Sequence, residues 1–417
     1  MNTQELIITW VTPVFFLLIG VELLVAKLRG RDAYAGNDTI NNIGLGMISQ
    51  LVAVFAKLLS FGIYAWCVRH FALFALPSDS VPVWVFALLA YDFCYYWLHR
   101  MCHEVNILWA AHVVHHQSER YNLSTALRQS GSSLLLGWVF YLPLAILGVP
   151  VEVFVVVALI DLLYQFWVHT EQVGRLGWFD RVFCSPSNHR AHHAVNDRYL
   201  DRNYGGILIL WDRLFGTFME EDDADPPVYG TRSPLRSWNP LWANVEVYWR
   251  TAQDAWRARR WRDKLRVWIK PPGWRPADVA ARFPKPAFVM SAERYDPAMG
   301  TALKGYVLLQ FALLLAMVTQ FLGITESAGQ ATLLLYALWV VFGITVLGAL
   351  MEGRRWAWWA ESLRMLACAV LPWATGRWFG VAHLDVRIAL AFAAVFGASA
   401  LVLPWLRAGE AMRPEGA

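Results

Sequence analysis

Residues 81–116 read VPVWVFALLAYDFCYYWLHRMCHEVNILWAAHVVHH. The run from Val81 to Leu98 has the length and apolarity of a membrane helix. Histidines begin where it ends, with His99 and His103 four apart, then His112, His115 and His116 at intervals of three and four. On a helix those intervals put side chains on one face, so each group aims its imidazoles at one point. The stretch therefore predicts a membrane helix that delivers histidines to a bilayer surface.

The rest of the chain extends that pattern. Of 417 residues, 57% are hydrophobic and 16% charged, against about 25% charged in a soluble domain. Other apolar runs are Leu6 to Leu28, Ile43 to Trp66, Ser132 to Leu147, Val151 to Val168, Tyr306 to Leu322, Ala331 to Leu350, Leu363 to Trp373 and Ile388 to Leu406. The expected fold is all-α and polytopic, with about nine transmembrane helices. The runs either side of Gly148 and Pro150 are expected to form a tight hairpin that falls short of a full crossing. Lys27, Arg29 and Arg31 follow the first run, and the basic residues from Arg175 to Lys270 share its predicted side, which puts the histidines on the cytosolic face. The membrane is then a bacterial inner membrane or, in a eukaryote, the endoplasmic reticulum. The net charge of +4 gives no support to a nucleic-acid partner. Five scattered cysteines make no disulfide framework.

Three regions follow. Residues 1–230 hold the histidine boxes and the first five membrane helices; 231–302 are basic and Trp-rich; 303–417 form a C-terminal four-helix membrane region. In the middle region RARRWRDKLRVWIKPPGW (257–274) suits a helix in the headgroup layer, or a solvated linker helix. The C-terminal helices carry no histidine box and either cover a lipid site or join two copies as a homodimer.

Nine of the eleven histidines fall between His99 and His193. Besides the two groups above these are His169, in WVHTE, and His189, His192 and His193, in HRAHH. Nine imidazoles exceed one four-coordinate metal and suit two metals with open positions. Imidazole accepts Zn, Fe, Cu and Ni alike, but a carboxylate-poor pair at a membrane surface suits iron handling dioxygen. Asp92 lies seven residues before His99, and Asp161 and Gln165 lie eight and four before His169. They are expected to accept hydrogen bonds from the far nitrogens of the histidines. Asn188 reads either as a ligand through water or as a helix cap before HRAHH. Transport or metal sensing is the reading from another class, but it calls for ligands midway across helices. A zinc-dependent membrane hydrolase is a further alternative.

The HxxxH, HxxHH and HxxHH boxes, with a hairpin between the second and third, resemble the fatty acid hydroxylase and sterol desaturase superfamily. HRMCHEVNILWAAHVVHHQSERYNLSTALRQS (99–130), LLYQFWVHTE (162–171), SPSNHRAHH (185–193) and NYGGILILWDRLFGTF (203–218) resemble the alkylglycerol monooxygenase family within it, over about Asn37 to Glu220. The resemblance implies cleavage of the O-alkyl bond of ether glycerolipids lying in the bilayer, using dioxygen, two irons and tetrahydrobiopterin or another electron donor. It also implies that the nine histidines are metal ligands and that Glu104, after the first box, serves the pterin. Many sterol desaturases have a second histidine four residues after the one in the WVHTE position; Val173 stands there. Hydroxylation or desaturation of a sterol, carotenoid or fatty acyl chain is the alternative within the superfamily.

Overall fold

The computed structural model describes residues 3–57, 61–291 and 293–411. In chain order its helices are α1 (Thr3–Leu28), α2 (Gly36–Lys57), α3 (Ile63–Phe71), α4 (Val81–Glu104), α5 (Asn106–His116), α6 (Leu123–Ala126), α7 (Ser133–Leu136), α8 (Leu142–Leu147), α9 (Val151–Trp167) and α10 (Phe179–Val182). They continue as α11 (Pro186–His193), α12 (Leu210–Phe215), α13 (Pro240–Arg257), α14 (Trp261–Ile269), α15 (Ala277–Arg282), α16 (Thr301–Gly323), α17 (Gln330–Met351), α18 (Arg355–Thr375) and α19 (Val386–Ala411). Among the described residues extended pairing is limited to isolated bridges such as Phe183 with Leu208. The all-helical expectation holds.

Five helices among the described residues are long and apolar enough to cross a membrane: α2 over Gly36–Ala56, α4, α16, α17 and α19. Other expected crossings take different forms. The run Ser132 to Leu147 is broken into α7, a 3₁₀ turn over Gly137–Tyr141, and α8. As a continuous helix it would reach only about 24 Å, short of a hydrocarbon core of about 30 Å. The run Leu363 to Trp373 lies within α18, whose first half carries Arg355, Glu361 and the start of a charged cluster. The run Ile43 to Trp66 is shared between α2 and α3.

The chain forms two compact units, residues 1–35, 52–235 and 243–294 in one, and 36–51, 236–242 and 295–417 in the other. The first carries every histidine box. In it α4 packs on α5 and α9, around a core that includes Tyr91, Leu144, Val149, Val153 and Phe154. Tyr64 stacks on Phe154 with centroids 3.9 Å apart. The turn from α8 into α9 passes so close to the chain at Phe74 that a Cβ on Gly148 would lie 1.9 Å from the Phe74 carbonyl oxygen. With φ at 87° as well, the position admits only glycine. A buried clasp ties α1 to this unit: Glu22 accepts hydrogen bonds from Tyr34, Thr170 and, at 2.8 Å, the Leu123 N–H.

The second unit is built on α16 to α19 and holds a buried charge. Arg364 donates to both oxygens of Glu361 at 2.8 Å and to Gln310 Oε1 at 3.1 Å, Tyr306 donates to Glu361 at 2.8 Å, and Gln310 donates to Ser399 at 2.9 Å. The network joins α16, α18 and α19. In a dry interior neither ion tolerates loss of its partner. Glu361→Ala is expected to cost about 3–5 kcal/mol, read as a lower thermal unfolding midpoint in detergent, while Glu361→Leu combined with Arg364→Met recovers most of the loss.

Candidate metal centre

Four segments bring the histidines together. His99 and His103 occupy the last turns of α4, which stops where Val105 turns extended; α5 restarts at Asn106 and ends on His115 and His116. His169 directly follows α9. The short helix α11 is fixed by its start: Ser185 and Asn188 form a reciprocal capping box with Pro186 in the first turn, which satisfies N–H groups that would otherwise be orphaned. The phase set there aims His189, His192 and His193 inward. At the other end of α5, the buried Arg128 donates to the Val114 carbonyl at 2.6 Å and to Gln117 at 3.1 Å, a cation at a helix C-terminus.

The nine histidines form two groups. His99, His103, His112, His116 and His192 make one, and His115, His169, His189 and His193 the other, each with one ligating atom per residue within 4.8 Å of the rest. Nε2 atoms face each other at 3.2 Å for His99 and His112, 3.1 Å for His112 and His116, 3.1 Å for His115 and His169, 3.1 Å for His169 and His189, and 3.2 Å for His189 and His193. These separations match the edges of about 3.0–3.4 Å between nitrogens bound at about 2.1 Å to one metal ion.

The tautomers make the case for a cation. His115 Nδ1 donates to the Arg128 carbonyl at 3.0 Å and His169 Nδ1 to the Gln165 carbonyl at 2.8 Å. A carbonyl only accepts, so the ring proton sits on Nδ1 and Nε2 presents a lone pair. Two lone pairs 3.1 Å apart repel unless a cation lies between them or one ring is protonated. Protonation is disfavoured, because burial pushes His115 down to about 4 and holds His169 well below the usual imidazole range. Burial, reinforced by neighbouring imidazoles, does the same to His112, His116, His189, His192 and His193. In the five-histidine group His99 and His192 donate from Nδ1 to the carbonyls of Tyr204 and Arg202, each at 2.9 Å. The buried Nε2 atoms of His103 and His192 have no hydrogen-bond partner among the described residues. Metal ions fit both groups.

Sequence reasoning missed the segment that supplies two of those carbonyls. The loop Leu200–Tyr204 has positive φ at Asp201 (57°) and Asn203 (56°), which asparagine and aspartate tolerate better than other side chains. Buried Asn203 donates to the Asn188 and Met219 carbonyls at 2.9 and 2.7 Å and accepts from the Met219 N–H at 2.8 Å. Asp212 accepts from the N–H groups of Tyr204 and Gly205 at 2.8 and 2.7 Å. The Asp201 carboxylate lies 3.7 Å from His103 Nδ1. Adjacency to a histidine box would not flag these residues; their signal lies in the NYGG turn sequence alone.

The supporting residues expected to accept from the histidines do otherwise. Asp92 accepts from the N–H groups of Ile207 and Leu208 at 2.7 and 3.1 Å and from the Trp211 indole at 2.8 Å. Asp161 accepts from Gln165 Nε2 at 2.5 Å. Seven or eight residues of helix span about 10–12 Å, beyond the reach of a carboxylate to the ring two turns on. Gln165, one turn from His169, does meet it, but through its carbonyl; its side chain accepts from the Tyr95 hydroxyl at 2.5 Å. A Cβ on Gly206 would stand 2.7 Å from Asp161 Oδ1 and 3.0 Å from Asp92 Oδ1, so glycine lets the chain pass over both carboxylates. Asn188 stands in the capping box, donating from its main-chain N–H to Ser185 Oγ at 3.3 Å. Glu104 pairs with Arg100 at 2.8 Å and is 38% exposed, at the rim.

With this geometry in place, comparison with known proteins decides the family. The family model described as fatty acid hydroxylase matches residues 84–217, and that described as alkylglycerol monooxygenase C-terminal domain matches residues 303–375. The chain is 37% identical over 370 residues to an alkylglycerol monooxygenase of Homo sapiens, covering 86% of this chain and 81% of that protein. The chain belongs to the alkylglycerol monooxygenase family. To the family's protein from Danio rerio it is 38% identical over 367 residues, 86% of this chain and 80% of that one. Its likeness to an ornithine lipid hydroxylase of Rhizobium tropici, 32% over 135 residues, covers 32% of this chain and 41% of that protein. No solved structure matches.

The loop at Asn203 gives this member of the family a direct test. Asn203→Ala removes three hydrogen bonds at a left-handed position, for an expected cost of about 3–4 kcal/mol; Asn203→Gly, free of the backbone strain, costs about 1 kcal/mol less. Thermal unfolding of the two variants in detergent checks the order.

Proposed function

We propose that this chain is a membrane alkylglycerol monooxygenase, which uses dioxygen to hydroxylate the carbon next to the ether oxygen of an alkylglycerol lipid. The hemiacetal so formed splits into a fatty aldehyde and a glycerol derivative. Identity to alkylglycerol monooxygenases over most of the chain supports the reaction, and the convergent imidazole lone pairs of His115 and His169 carry the chemistry.

His99, His103, His112, His116 and His192 would hold one iron and His115, His169, His189 and His193 the other. Bound there, the two irons supply the activation of dioxygen that C–H hydroxylation requires. The chain's own part is orientation and exclusion. Main-chain carbonyls of Arg128, Gln165, Arg202 and Tyr204 keep the ring protons on Nδ1 and the Nε2 atoms inward. Asp92 and Asp161 are positioning residues, the first through the loop 207–211 and the second through Gln165. Asn188 positions α11 through its cap. Glu104 at the rim is the residue proposed to meet tetrahydrobiopterin as electron donor. The chain makes about nine membrane crossings, the glycerol head of the substrate meets a cytosolic-face centre, and its alkyl chain lies in the bilayer.

Membranes holding the protein are expected to release aldehyde from a 1-O-alkylglycerol when given tetrahydrobiopterin and dioxygen, and His115→Ala membranes to release none. Chelation should abolish the activity and Fe(II), not Zn(II), restore it. If the wild type holds two irons per chain yet yields no aldehyde, the substrate or donor assignment fails while the oxygenase class stands.

A further inference from the structure

Helix α13 is inside out. Its buried positions include Glu246, Thr251 and Asp254, whereas Val245, Trp249 and Trp256 form an exposed stripe at intervals of four and seven, Trp256 being 86% exposed. The stripe continues on α14, where Trp261, Leu265 and Ile269 recur every four residues at 80%, 70% and 64% exposure. A water-facing helix shows the opposite arrangement. The two helices have 18 and 9 residues, and the segment from Arg257 to Lys270 holds seven Arg and Lys against one carboxylate, Asp263. Crossing the bilayer is ruled out by length and charge.

Their polar side is tied down. Asp254 pairs with Arg275 at 2.7 and 2.9 Å. At the first residue of α5, the Asn106 N–H donates to the Lys270 carbonyl at 3.1 Å, while its side chain donates to the Val267 carbonyl at 2.9 Å and to Thr251 Oγ1 at 3.0 Å. Gln117, just past the other end of α5, donates to the Ala243 carbonyl at 3.3 Å. The two helices that carry the exposed stripe are therefore braced, through their other side, against the helix that carries His112, His115 and His116.

We propose that α13 and α14 form a float that lies on the leaflet adjoining the histidine centre, with the apolar stripe below the headgroups and Arg259, Arg260 and Arg262 among anionic ones. Apolar rings with cations beside them are what an anionic lipid surface takes up. A second copy would bring the same dense cation cluster against itself, so charge argues against a homodimer through this face. Through Asn106, the float fixes the depth of α5 relative to the lipid surface.

The test uses the full chain in nanodiscs of phosphatidylcholine alone or mixed with phosphatidylglycerol. Trp261→Cys, Leu265→Cys and Ile269→Cys are each labelled with an environment-sensitive fluorophore, with Asp223→Cys, a 91% exposed acidic position, as the water-facing control. All five native cysteines are buried, so labelling reports the new thiols. Spin-labelled lipid chains are expected to quench the labels at 261, 265 and 269 but not at 223, iodide the reverse, with lipid quenching at least about threefold stronger in the anionic discs. Arg259→Gln, Arg260→Gln and Arg262→Gln together should remove that threefold gain. Iodide quenching at all four positions overturns the proposal, as does equal lipid quenching in both discs, or a doubled protein mass with the stripe labels shielded from both quenchers. None of these readings depends on aldehyde release.

Discussion

The first unit of this protein is organised around ring protons given to main-chain carbonyls. Each carbonyl at Arg128, Gln165, Arg202 and Tyr204 holds one imidazole proton outward and so turns one lone pair inward. The inward lone pairs repel, which makes the metal-free arrangement costly and metal binding favourable. A carbonyl is also a safer partner than a carboxylate in such a place, because it cannot take up the proton and release the ring. The price is that three separate stretches of backbone must be held in register.

Several buried polar groups in this unit hold them. Asp212 fixes the N–H groups of Tyr204 and Gly205, and Asp92 those of Ile207 and Leu208, so one loop is gripped from both sides. Asn203 ties the same loop to α11 through the Asn188 carbonyl. Arg190 donates to Glu221 and to the carbonyls of Thr170 and Val173, which joins α11 to the segment after α9. Buried groups of this kind are costly unless every partner is present. Loss of one of these partners is therefore felt at the histidines.

The histidine faces were legible because helical spacing alone puts His99 with His103, and His112 with His115 and His116, on common stripes. Family likeness in YNLSTALRQS and QFWVHTE was legible too, since both extend well beyond the histidines themselves. The acceptors were not, because a carbonyl belongs to every residue and its use depends on a fold that brings residue 202 to residue 192 and residue 204 to residue 99. Asp92 and Asp161 share a stripe with a histidine, but stripe membership says nothing about distance along it, and two turns proved too far. At Ser132 to Leu147 length marks a run too short for a full crossing, but apolar composition gives no sign of the 3₁₀ turn that divides it.

The two histidine groups are not equivalent. Around His115 and His169 the partners are carbonyls, and Tyr121 stacks against His169 at 5.6 Å while donating to the Val168 carbonyl. Around His103 the surroundings turn polar and open: Asp201 faces Nδ1 from a position 51% exposed, and the Arg100–Glu104 pair stands one residue away. An anionic oxygen near the far nitrogen of an imidazole orients the ring, and an exposed one is screened by water. Both groups thus share uncharged carbonyl partners, at Arg128 and Gln165 in one and at Arg202 and Tyr204 in the other, and the five-histidine group adds at His103 a carboxylate that solvent screens.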